Sequence, residues 1–256
     1  MKKYILLFFF LYSISSSSQI LISLLLGDKL NSGKIEFGIT GGYNWSTISG
    51  LETNKYDGSF NIGFYFDILI KDQWVFDTGV LVKSSMGVRN LTEKDLEFLE
   101  IETYDVDGNY NQILNYFWVP AMIKYKFKNH SYIEAGPQFG LMHKSWVEFV
   151  SNIDDKSVRI KEYNKDDINK FDMGINIGAG YKLLKGTGWT IGAEYYYGLL
   201  NIYKGGSGHK NSGFFVKMDI PIGLGEEAKN LKERQKQLKA DRKDKRKRKK
   251  QEEKKI

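Results

Sequence analysis

The 256-residue chain is 14% aromatic and has only 3 Pro, a composition that excludes a largely disordered protein and favours a sheet-rich fold. The absence of Cys excludes disulfides, thiolate metal sites, cysteine nucleophiles and a lipid-modified N-terminal cysteine. The formal charge of +7 is concentrated at one end: residues 225–256 hold 15 Lys+Arg against 7 Asp+Glu, a local +8 that leaves −1 for residues 1–224.

The first element in chain order is a charged, apolar and small-residue sequence. Lys2 and Lys3 precede the apolar run Tyr4 to Ile14, and Ser15 to Ser18 and Gln19 follow it. That order predicts a secretory signal peptide over residues 1–18, with an N-terminal periplasmic segment over 19–33. The alternative is an uncleaved anchor, because ILISLLL (20–26) lengthens the apolar stretch toward the roughly 20 residues a spanning helix needs. No later window approaches that length, so any further insertion must use strands.

From residue 34 the apolar residues recur with period two, the spacing of a strand with one greasy face. The pattern runs through Ile35, Phe37, Ile39, Tyr43 and Trp45, then Phe60 to Ile70, then Trp74 to Val82. It returns at Ile113 to Phe127, Ile133 to Leu141, Phe171 to Tyr181, Trp189 to Leu199 and Phe214 to Ile222. These are eight predicted strands. Tight connections at 70–73, 128–131 and 183–188 alternate with long ones near 47–58, 88–111, 143–168 and 201–211. Short turns at one end and long loops at the other are the plan of an up-and-down outer-membrane barrel. The fold class predicted is therefore all-β: an eight-stranded antiparallel transmembrane β-barrel over residues 34–224, followed by a charged C-terminal helical or disordered tail over 225–256.

Alternation does not say which face meets water, so a soluble barrel with an apolar bore is the rival. Size argues against it: a bore enclosed by eight strands cannot hold about five or six large side chains from every strand. The opposite face carries glycines (38, 42, 63, 79, 136, 140, 174, 178, 180, 192 and 198) together with Glu36, Asp67, Asp77, Lys83, Lys124, Glu134, Asp172, Lys182, Glu194 and Lys217. A narrow lumen uses such glycines to make room for paired charges. The apolar face is then lipid-facing, with Trp45, Trp74 and Trp189 and strand-end tyrosines suited to interfacial girdles. Trp118 falls on the inward parity and Trp146 in a predicted loop.

Three residues merit a catalytic hearing: His143, Ser145 and Glu148 lie close in sequence at the long-loop end, as an activated-nucleophile set requires. Proximity in sequence is not triad geometry, and the expectation is a non-enzymatic protein. The loop at 88–111 carries seven acids, and DVDGN (105–109) has the opening of a calcium loop, but the twelfth position is Tyr116 where a bidentate Glu is required. No cofactor-binding or metal residue is assigned.

The stretches LLGDKLNSGKIEFGITGGYNWSTISG (25–50), NYFWVPAMIKYKF (115–127), SYIEAGPQFGLM (131–142), KFDMGINIGAGYKL (170–183) and EYYYGLLNI (194–202) resemble the Bacteroidetes outer-membrane barrels of the PorT-like or "porin family" group. The resemblance implies an OmpA/OmpX-sized barrel, one branch of whose relatives is linked to gliding and type IX secretion. It implies no active site. The basic tail returns, after eight strands, to the starting side of the membrane, so it is expected in the periplasm facing an anionic partner and no nucleic acid. The functional expectation is a monomer in outer-membrane lipid with a structural, adhesive or secretion-accessory role. The alternatives are a narrow solute or ion channel and a lipid-modifying barrel enzyme.

Overall fold

The computed structural model describes residues 34–153, 156–186 and 188–222. The chain separates into a barrel unit, Phe37–Pro221, and a second unit formed by the two chain ends, Met1–Glu36 and Ile222–Ile256. The predicted signal peptide and the tail at 225–256 lie outside the described residues. No described helix is long and apolar enough to span a membrane, which has no bearing on strands.

The strands are β1 (Ile35–Ile48), β2 (Lys55–Lys71), β3 (Trp74–Arg89), β4 (Asn109–Lys126), β5 (Ser131–Ile153), β6 (Lys156–Glu162), β7 (Phe171–Lys182), β8 (Thr190–Gly198) and β9 (Asn211–Pro221). Two short helices, α1 (Glu93–Phe98) and α2 (Leu183–Gly186), and a 3-10 turn (Lys165–Asp167) lie in the connections. Eight strands close into a ring in the order β1-β2-β3-β4-β5-β7-β8-β9, with β9 returning to pair β1 through registers such as Trp45↔Phe214. β6 stands outside the ring as an edge strand on β5. The expected eight-stranded barrel is therefore present, and the ninth strand is an addition.

Local chemistry explains the tight turns. Between β2 and β3 only two residues intervene, and Asp72 takes the left-handed φ of 51° that a two-residue hairpin demands and that Asp tolerates. His130 takes a φ of 72° in the β4–β5 turn, where its N–H donates to the Phe127 carbonyl. At the other end the strands overrun their predicted limits. β2 starts at Lys55, β3 continues to Arg89, and β5 occupies 23 residues up to Ile153, so most of the predicted 143–168 loop is a β5–β6 hairpin.

The outward face is apolar along the ring. Trp45, Trp74 and Trp189 are 42%, 49% and 51% exposed. At the short-turn end Trp74, Tyr125 and Phe127 stack edge to face with centroids 4.8 and 5.0 Å apart. Along β4 the outward positions from Phe127 through Tyr125, Ile123, Ala121 and Val119 to Phe117 span roughly ten residues, the length a tilted strand needs to cross hydrocarbon. Asn115 is the next outward residue, so the apolar band ends there.

Two bulges change the inward parity. β3 shifts register between Leu81 and Ser84, which leaves Lys83 exposed and turns Ser84, Met86 and Val88 inward. Lys83 therefore does not line the bore as its sequence parity implied. On β5, Asn115 pairs Lys144 while Tyr116 pairs Met142, so His143 is the inserted residue.

Candidate functional site

The bore is the natural place to seek function in a barrel, and it is filled at two levels. Toward the short-turn end, inward positions of six strands converge in an ion-pair lattice. Lys124 on β4, 1% exposed, reaches Asp67 at 2.9 Å, Asp77 at 2.5 Å and Glu134 at 3.4 Å. Lys217 on β9 reaches Glu134 at 2.9 Å and Asp77 at 3.6 Å and pairs with Glu194. Lys126 closes on Asp67 at 2.7 Å. Burial makes each of these charges costly alone, so the shared bridging is what permits them there.

Most lumen charges predicted from parity are in this lattice. Asp172 lies apart, accepting hydrogen bonds from Tyr196 Oη at 3.1 Å and Asn211 Nδ2 at 2.7 Å. Asp219 is a lattice neighbour that the sequence reading missed. It is buried on the same parity as Lys217, and that parity was the available signal.

Nearer the long loops buried rings and thioethers join the polar groups, so the lumen is not polar throughout as expected. Trp118, fully buried, stacks on Tyr116 at 4.6 Å and meets Tyr196 edge-on at 5.0 Å. Met86, Leu114, Met142 and Phe215 complete a plug. The glycines serve these rings as well as the charges. A Cβ on Gly140 would collide with the Trp118 ring, and one on Gly174 would lie 2.6 Å from Tyr196 Cε2. Gly178 makes the corresponding room for Glu134 and Glu194.

The loops then close over the plug. α1 begins with a capping box: Thr92 Oγ1 accepts from the Asp95 N–H at 3.3 Å, and Asp95 Oδ2 accepts from the Thr92 N–H at 3.0 Å. The same carboxylate accepts from Glu52 N at 2.7 Å and Thr53 N at 3.1 Å, latching the β3–β4 loop to the β1–β2 loop. Phe98 at the end of α1 stacks on His209 at 4.6 Å, and Tyr203 meets the same imidazole edge-on at 5.4 Å, which brings in the β8–β9 loop. Burial holds the His209 imidazolium form down, so its pKa lies below the usual histidine value. Leu91, Leu96, Ile168, Ile202 and Tyr203 form the lid's underside against the plug.

The catalytic candidates are not brought together. The bulge puts His143 on the outer wall, stacked on Phe117 at 4.5 Å, and turns the next inward residue, Ser145, to the interior. Ser145 Oγ donates to Asn164 Oδ1 at 2.6 Å and accepts from Gln112 Nε2 at 3.0 Å, so its proton and one lone pair are already engaged. Glu148 lies 3.8 Å from Lys161 and 4.0 Å from Arg159 on β6. Trp146 sits on β5 and not in a loop, with the Lys161 ammonium 4.3 Å above its ring. In the DVDGN segment Asp105 and Asp107 are exposed while Tyr116 is committed to the plug. Among the described residues no cluster of three or more His, Asp or Glu is arranged to hold a metal.

Residues 18–204 match the family described as outer membrane protein beta-barrel domain. No curated protein matches the chain. Solved structures to which it is similar include Ail, the attachment invasion locus protein of Yersinia pestis, at 14% identity and TM-score 0.37, over 74% of this chain and 99% of that one. Neisserial surface protein A is similar at 7% identity and TM-score 0.35, over 73% and 96%. OprG from Pseudomonas aeruginosa is similar at 10% identity and TM-score 0.31, over 73% and 91%. The family match stops before β9, and it is the registers of β9 with β1 and β8 that close the ring. With well over half of its length matched and its eight ring strands presenting an apolar wall, the chain belongs to the outer membrane protein beta-barrel domain family and resides in the outer membrane.

Proposed function

We propose that this protein is a sealed, non-catalytic barrel that acts through its rims, in a structural, adhesive or secretion-accessory role, and conducts no solute. One observation carries this reading: the bore is closed twice, by the Lys124–Lys217 lattice and by the Trp118–Tyr116–Tyr196 plug. An eight-stranded ring has room for side chains or a small ligand, and here the side chains occupy it. The long-loop end faces the cell exterior, following the arrangement of short periplasmic turns and long outer loops. The motifs at 115–127 and 170–183 favour placement in the PorT-like group within the wider family. The tail at 225–256 is then periplasmic, where its surplus of cations suits an anionic partner.

The test is conductance of the purified, folded full chain in planar bilayers. The expected result is no current above the lipid baseline across physiological voltages. Discrete, reproducible single-channel openings from protein that shows heat-modifiable gel mobility overturn the sealed-barrel reading.

A further inference from the structure

Above the apolar band the outward wall of β2 to β6 changes chemistry. Along β4 the lipid-facing series that ends at Phe117 is followed by Asn115, Ile113, Asn111 and Asn109. The ring does not need these residues for spanning, and yet the sheet continues, widened by the β5–β6 hairpin. This stretch forms an open groove of about 560 Å³, within the range of small-molecule sites. Its wall carries amides and cations with Trp146 among them.

The hydrogen-bond inventory of that wall is incomplete. Asn111 Oδ1 accepts from the Asn90 N–H at 3.1 Å, which fixes the amide orientation and aims Nδ2 elsewhere. Asn115 Oδ1 accepts from Ser85 Oγ at 2.6 Å. Among the described residues neither Nδ2 donates to a protein acceptor, so both amides present free donors into the groove. The charges are unevenly matched as well. Arg89 is held by Asp57 at 2.8 Å, whereas Arg159 and Lys161 share the single carboxylate of Glu148 at the long distances of 4.0 and 3.8 Å. Lys144, the exposed register partner of Asn115, adds a further cation beside the groove. Amide donors, loosely paired cations and an indole wall are the complement of a saccharide that bears phosphate.

Location narrows the ligand. The groove opens on the lipid-facing side, starting one outward position beyond the end of the hydrocarbon-spanning stretch, so the layer it meets is that of the head groups. We infer that this groove binds the phosphorylated saccharide head group of an outer-leaflet glycolipid. Arg159 and Lys161 take the phosphate, Asn111 and Asn115 donate to sugar oxygens, and the Trp146 ring supplies the apolar wall. Glu148 holds both cations at the groove when no ligand is present. This goes beyond the sealed-bore reading and rests on it only for the outward orientation of the long-loop end, since binding by the outer wall is unaffected by what fills the lumen.

The experiment uses the folded full chain in phosphatidylcholine nanodiscs. One arm adds a soluble, deacylated glucosamine disaccharide bisphosphate, and the other builds the nanodisc with lipopolysaccharide in the lipid. The variant is the pair Arg159→Ala/Lys161→Ala, on an edge strand outside the closed ring, with Asn115→Leu as a second and independent change. Heat-modifiable mobility checks that each remains folded. The expected result is binding of the disaccharide, enrichment of lipopolysaccharide around the protein, and a loss in affinity of about tenfold or more in each variant. Added salt should weaken the wild type more than the double variant. Disaccharide binding without lipopolysaccharide enrichment overturns the membrane source and leaves a site for soluble phosphorylated glycans. No binding in either arm, or equal binding by wild type and folded variants, overturns the site itself.

Discussion

Replacing Lys124 by Met tests whether the lower seal is one coupled unit. The Lys124 ammonium is the only listener to Asp77 closer than 3.6 Å among the lattice cations, whereas Asp67 keeps Lys126 at 2.7 Å and Glu134 keeps Lys217 at 2.9 Å. The substitution thus preserves most of the volume and strands chiefly one buried carboxylate. Breaking a buried pair by removing one partner costs about 3–5 kcal/mol, mostly for the charge left behind. Asp77→Asn removes that charge, so the double variant Lys124→Met/Asp77→Asn should be less destabilised than the sum of the singles by about 1–3 kcal/mol. The assay is urea unfolding in detergent micelles, followed by tryptophan fluorescence and heat-modifiable mobility, with the slope m checked for constancy so that midpoints report stability. A Lys124→Met loss below about 1 kcal/mol, or additivity of the singles within about 0.5 kcal/mol, refutes the coupled lattice.

Trp118→Ala empties the centre of the upper plug and should cost about 3–5 kcal/mol by the same unfolding assay, while conductance stays at baseline because the lattice still closes the bore. Asp95→Ala removes the acceptor for three backbone N–H groups and should release the lid: limited proteolysis within residues 91–108 accelerates while the barrel's heat-modifiable mobility is unchanged. His209, whose pKa burial lowers below 6.5, is neutral in the closed lid. Its contribution is present above pH 6.5 and lost as pH falls through the depressed folded value, so lid hydrogen exchange should quicken on mild acidification, and His209→Phe should flatten that dependence.

The ring was legible because a wall between lipid and a packed bore imposes strict alternation on every strand. The strand ends were not, since above Asn115 and Lys144 the outward residues turn polar and the contrast that marks a strand fades. β6, with the sequence KSVRIKE, offers only Val158 and Ile160 on one parity, too short an alternation to mark a strand, and it is exposed at most of its described positions. α1 did leave a signal in Thr92 and Asp95, a capping box within an acidic segment whose charges drew attention to calcium instead. The plug was written in runs that are apolar on both parities, NYFWV at 115–119 and EYYYG at 194–198. Such a run marks a strand buried on both faces, lipid outside and rings within.

Parity also decided the candidate sites, and it fails wherever a bulge intervenes. One inserted residue, His143, separates itself from Ser145 by sending the two to opposite faces, and the same insertion brings Trp146 and Lys144 outward above the membrane. Without that bulge the β5 continuation would present Ser145, Val147 and Phe149 to the head groups, and Trp146 to the interior. The device that dissolves an apparent catalytic set therefore builds the polar groove. It also keeps Val147 and Phe149 in the core beneath the lid. Spanning requires about ten residues of a strand, and β5 has 23. The rest of its length serves the surface, and its chemistry there is set by where the register shifts.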